Sequence, residues 1–124
     1  MAYTKGTLAG DFIEGVLADM GGVIAVGVVD MTNGLAMDTF SARAEFDPDV
    51  ASANMVEVIM AQQQTIRALQ MKDAIREIFV TLDSQVHLLT LSKTGKALFY
   101  VVTNVTGANL SLMRSVVRKY AKGI

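Results

Sequence analysis

A chain of 124 residues with 52% hydrophobic content can bury one sizeable core but is too short for two. Net charge is −1 and the pI is about 5.7, and no pattern of aromatics interleaves the basic residues, so a nucleic-acid partner is not expected. Without cysteine there are no disulfides or thiolate sites, and without an apolar run of about 18 residues there is no membrane span.

The first element is a helix over Thr7–Asp19, in which Leu8, Phe12, Val16 and Leu17 recur at helical spacing beside Ile13. Asp11, Glu14 and Asp19 interrupt its apolar character, so no signal peptide is expected and the cytoplasm is the expected compartment. Gly21-Gly22 ends this helix. Val23–Val29 is nearly continuous in apolar residues, as in a strand covered on both faces. Thr32-Asn33-Gly34 then turns the chain into Leu35–Phe40. An Asn-Gly pair supplies the positive φ angles that tight hairpins need.

Asp47-Pro48 opens the longest helix, with Asp as the cap and Pro pre-set for the first helical position. It is expected to run to about Gln70. At 100° per residue, Ala51, Met55, Val58, Ile59, Ile66 and Leu69 make one apolar stripe for docking on a sheet. Val56, Met60 and Met71 lie around the barrel from it with Ala53. That second patch needs another cover, from a neighbouring element or from a second chain, and a second chain is the favoured cover.

Ala74–Leu82 alternates as a strand, with Ile78, Val80 and Leu82 opposite Ile75, Glu77, Phe79 and Thr81. Strands follow over Val86–Leu91 and Ala97–Thr103, joined by the Lys93-Thr94-Gly95 turn. Thr106 is expected to cap a last helix with Leu110, Leu112, Met113, Val116, Val117 and Tyr120 on one face. Arg114, Arg118 and Lys122 fall opposite. The order α-β-β-α-β-β-β-α with short strand connections gives an α+β class: one five-stranded antiparallel sheet flanked by helices, as a single domain over 1–124.

The charge is bipolar. Residues 1–60 hold nine acidic and two basic side chains, and residues 61–124 hold three and nine. Such a domain steers toward a charged partner or a second copy of itself, or merely has an uneven solvated surface.

Catalytic and metal-binding patterns are weak throughout. Asp30-Met31-Thr32-Asn33-Gly34 shares residues with a calcium loop, but the spacing fails and Ser41 stands where the closing Glu belongs. Glu45, Asp47 and Asp49 are better read as a cap and first-turn acids than as an acid–base pair. His87 is the sole histidine, and neighbours such as Asp83, Ser84 and Ser92 along a strand do not make a triad with it. The sequons at Asn104 and Asn109 read as chance matches. Neither an enzyme, a cofactor nor a bound metal is expected.

Gly21-Gly22-Val23-Ile24-Ala25-Val26, the approach to Asp30 and Asn33-Gly34, the long helix after Asp47-Pro48 and the stretch Val86–Tyr120 together resemble the Roadblock family, whose eukaryotic members are dynein light chains. The resemblance implies a sheet ordered 2-1-5-4-3, with the first and last helices on one face and the long helix on the other. It further implies a homodimer in which strand 3 pairs with its twin and the long helices pack together. Candidate seam residues are then Val56, Met60, Gln63, Arg67, Ile75 and Phe79. Family members bind small Ras-like GTPases as regulators or scaffolds, and Glu57, Gln64 and Arg67 are candidates for that partner surface. The chain lacks G-x-x-x-x-G-K-[ST], so it is not itself the GTPase. The alternatives are a small-molecule sensor with its ligand between sheet and helix, or a structural light chain joining a larger complex.

Overall fold

The Thr7 hydroxyl accepts a hydrogen bond from the Gly10 N–H at 3.0 Å and so starts α1 (Leu8–Asp19). The computed structural model describes residues 3–122, so both extremes of the expected 1–124 domain lie outside the described residues. The chain continues through β1 (Val23–Asp30), β2 (Leu35–Ser41), α2 (Pro48–Ala68), β3 (Glu77–Thr81), β4 (Gln85–Leu91), β5 (Ala97–Asn104) and α3 (Leu110–Tyr120). All strand pairs are antiparallel and the sheet order is β2-β1-β5-β4-β3.

The central strands β1 and β5 are buried on both faces, which accounts for their continuous apolar sequences. On one face, Phe12, Ile13 and Val16 of α1 and Met113, Val116 and Val117 of α3 close over Val26, Val28, Phe99 and Val101. On the other, Val56 and Ile59 of α2 close over Ile24, Val29, Leu98, Tyr100 and Val102. This is the expected three-layer arrangement.

Several local expectations are corrected. The β1–β2 hairpin closes through four residues, 31–34, with the Gly34 N–H donating to the Asp30 carbonyl at 2.8 Å. Only Gly34 takes positive φ (73°); Asn33 instead accepts the Leu35 N–H through Oδ1, so the side chain rather than left-handed backbone supports the turn. β3 is shorter than Ala74–Leu82, because residues 74–76 do not join the regular ladder. Asn109, not Thr106, caps α3: its Oδ1 accepts the Leu112 N–H at 3.0 Å. That start leaves Leu110 and Leu112 exposed and turns Arg114 toward β3, where it pairs with Glu77.

The stripe of α2 is also rotated from the expected one. Val56, assigned above to the uncovered side and to the seam, is 7% exposed and packs inside its own core, whereas Val58 (40%) and Leu69 (65%) are exposed. The physical reason is Ser52: a small hydroxyl residue invisible to hydrophobic periodicity is fully buried, and it sets which side faces the sheet.

Past the end of α2, Gln70 is held at φ 55°, with its N–H on the Arg67 carbonyl and the Met71 N–H reaching back to Ile66. A side chain there carries a left-handed penalty that glycine avoids. Gln70→Gly is expected to raise stability by about 0.5 kcal/mol, read as a higher urea midpoint with unchanged slope.

Candidate interaction surface

Tyr100 on β5 fixes α2 against the sheet. Its ring is fully buried, and its hydroxyl donates to the Pro48 carbonyl at 2.7 Å. Ser52 Oγ reaches the same carbonyl at 2.6 Å and lies 3.1 Å from the phenol oxygen. Burial pushes the Tyr100 phenol up to about 12, so it remains a donor at any physiological pH. The Asp47 carboxylate accepts the Asp49 and Val50 N–H groups, and Asp49 in turn receives the Thr39 hydroxyl of β2 at 3.3 Å. Sequence reasoning missed the tyrosine–serine anchor. Its one available signal was a tyrosine in a fully apolar strand, since a buried hydroxyl needs a partner.

With α2 oriented in this way, two different flanks remain open. Met60 lies about 20° around the helix from Asp49 at 100° per residue, so its flank is the one turned toward β2. There Glu57, Met60, Ala61, Gln63, Gln64 and Arg67 line a shallow cavity of about 420 Å³, and Met60 is 55% exposed. The residues expected from sequence as seam (Met60, Gln63, Arg67) and as partner surface (Glu57, Gln64, Arg67) therefore form one patch. On the other flank, Gln62, Thr65, Ile66 and Leu69 face Asp73–Ile78 across a second cavity of about 430 Å³. Val58 lies on this flank, about 160° from Met60 going around the outer side.

β3 is an edge strand, bonded to β4 on one side only, and its residues 77–80 are half-buried. Ile75 and Phe79, grouped together by sequence alternation, lie on opposite faces of the sheet. Ile75 packs with the α2 core, because the chain at 75 precedes the regular strand and alternation does not carry through it. Phe79 packs with the α1/α3 core, with the Arg114 guanidinium 5.5 Å from its ring centroid.

Asp30 and His87, two titratable groups considered for chemistry, have structural partners. Asp30 Oδ1 accepts both the Thr32 hydroxyl at 2.6 Å and the Thr32 N–H at 2.8 Å, which hold its carboxyl below the usual range. Among the described residues no group of three or more His, Cys, Asp or Glu is placed to hold a metal ion. His87 is 8% exposed on the α2 face of β4, with Nε2 2.9 Å from Gln85 Oε1 and the Phe46 ring set edge-on. Burial holds its imidazole below the ordinary value of 6.5.

The unfolded chain therefore protonates at His87 before the folded one does. Stability is lost as pH falls through 6.5 toward the depressed native value, and the loss levels off below it. Wild type is expected to melt progressively lower from about pH 7 to pH 5, and His87→Gln to flatten that slope, by calorimetry in matched buffers.

A five-stranded antiparallel sheet ordered 2-1-5-4-3, with one long helix on one face and two on the other, makes this chain a Roadblock-type domain in fold. Solved structures agree. MglB from Myxococcus xanthus superposes with a TM-score of 0.78 at 13% identity, over 95% of this chain and 92% of that one. An MglB with a tetrameric arrangement gives 0.75 at 16% identity, over 96% and 88%. A Roadblock/LC7 domain from Streptomyces avermitilis gives 0.64 at 15% identity, over 92% of each chain. No family model matches the sequence, and no curated protein matches it. No helix among the described residues is long and apolar enough to cross a membrane.

Proposed function

We propose that this chain is a non-enzymatic cytoplasmic homodimer that regulates or positions a small Ras-like GTPase. The observation that carries this is the pairing of a bare edge strand, β3, with a long helix whose two flanks are both open. An unpaired edge of half-buried apolar residues is an aggregation hazard unless a partner covers it, and a twin strand related by a two-fold axis does so with self-complementary bonds.

A two-fold axis beside β3 turns the β3-side flank of each α2 toward the twin. The seam then draws on Ile75, Val58, Leu69 and Met71, with Phe79 beneath the strand on the opposite face. Val56 is withdrawn from it by its burial and Met60 by the flank on which it lies, while Gln63 and Arg67 border both the Met60 patch and a cavity shared with Met71 and Ile75. Met60, Gln63 and Arg67 join Glu57 and Gln64 as the surface offered to the GTPase. The family resemblance supplies the partner class, and the MglB solved in a tetrameric arrangement supports self-association in this fold. The dimer acts on GTP turnover through differential affinity for the switch conformations of its partner.

Light scattering of the purified chain at micromolar concentration is expected to give twice the monomer mass. Immobilised chain is then expected to retain a Ras-like GTPase differently in its GDP- and GTP-loaded forms. A monomer, or equal and negligible retention of both forms, overturns the proposal. The small-molecule alternative lacks a chamber where sequence placed one: Ile59, Leu89, Leu98 and Tyr100, all fully buried, fill the space between α2 and the sheet.

A further inference from the structure

The basic excess of residues 61–124 is focused in space. Arg76, Lys93, Arg118 and Lys122 line a single cavity of about 480 Å³ where α3 ends above the β3 and β4 termini. Their backbone positions are fixed by the fold. The Arg76 carbonyl accepts the Leu91 N–H at 3.1 Å, and the turn carrying Lys93 is closed by the Ser92 N–H to Ala97 and the Gly95 N–H to Ser92, both at 2.9 Å. Arg118 lies in the last turn of α3 and Lys122 follows its C-cap, Ala121.

None of these four cations has an ion-pair partner among the described residues. The one carboxylate in the wall, Glu77, is already engaged by Arg114. The C-terminal end of α3 contributes only about half a negative charge, so the cavity keeps a positive excess of about three. Thr90 adds a second observation. It lines the same cavity, and its buried Oγ1 has no hydrogen-bond partner among the described residues.

We propose that this cavity binds the diphosphate group of a small soluble molecule. A diphosphate carries two to three negative charges and several acceptor oxygens, matching four cationic donors converging from three separate elements. Leu91 and Ala121 give the cavity apolar wall for an organic remainder. Glu77 and Thr90 lie on the α3 face of the sheet and no α2 residue lines the cavity, although Arg76 and Glu77 also border the α2–β3 cavity, so the site does not depend on the GTPase proposal.

The test is calorimetric titration of the purified full chain, with no GTPase present, using pyrophosphate, ADP and adenosine as probes. Pyrophosphate and ADP are expected to bind and adenosine not to bind, with affinity falling between about 50 and 200 mM salt. The double variant Lys93→Gln/Arg118→Gln is expected to weaken both phosphate probes at least about tenfold. A Lys5→Gln/Lys72→Gln control, equal in charge change but outside the cavity, is expected to leave them unchanged. Binding of pyrophosphate without ADP still supports the site and names free diphosphate as its source. No binding by either phosphate probe, ADP bound without pyrophosphate, adenosine bound as well as ADP, or equal losses in the two double variants overturns the proposal.

Discussion

Gly27→Ala is expected to cost about 3 kcal/mol, more than any other single-methyl addition in the central sheet. Gly27 sits on β1 opposite Tyr100 of β5, and a Cβ built there would stand 2.1 Å from Tyr100 Cε1 and 2.6 Å from Cζ. Something must move, and the ring is poorly placed to do so. It is fully buried, and its hydroxyl is tied to the Pro48 carbonyl beside Ser52 at the start of α2. Swinging the ring aside breaks the anchor that orients α2, whereas shifting β1 disturbs its pairing with both β2 and β5. At this size a loss of about 3 kcal/mol lowers the melting midpoint by roughly 10 °C. Repeating the substitution in a Tyr100→Leu background separates the causes. If the ring contact is responsible, the added methyl costs much less there, and equal costs in both backgrounds would reject the contact as the origin.

The second large effect concerns assembly, and it depends on which flank of α2 carries the charge. Val58→Asp is expected to convert the proposed dimer to monomer, because it puts a carboxylate into an apolar seam twice, once from each protomer. A penalty of about 2–4 kcal/mol per copy weakens dimerisation at least about 100-fold. Met60→Asp is expected to leave the mass unchanged by light scattering and to abolish capture of the GTPase. The reverse pattern, monomers from Met60→Asp and dimers from Val58→Asp, would place the seam on the β2 side of the helix and refute the pairing through β3. Both residues are exposed in the protomer, so neither change removes core packing. Circular dichroism matching wild type would show that the fold has survived.

Much of this was legible from residue order. The Asp47-Pro48 start was readable because an acid cap followed by proline has a local cause, and the structure shows that carboxylate on two N–H groups. The continuous apolar runs of β1 and β5 announced strands covered on both faces. Less legible were features that depend on contact between distant residues. Hydrophobic periodicity placed Val58 and Leu69 inward because it weighs side chains by apolarity alone. The polar Ser52 won the inward position through a hydrogen-bonded group 48 residues away. Strict alternation likewise put Ile75 with Phe79, but alternation holds only while the backbone stays in the ladder.

By itself the sequence determined the elements, their order, the antiparallel class and the excess of apolar surface on the long helix. These follow from interactions within a few residues and from the periods of helix and strand. Only tertiary structure decided which flank of α2 faces β3, that Val56 is core while Met60 is surface, and that four basic residues spread over 47 positions meet at one cavity. Helix rotation and the convergence of distant charges are set by packing and hydrogen bonds between separate elements, and no local pattern encodes them.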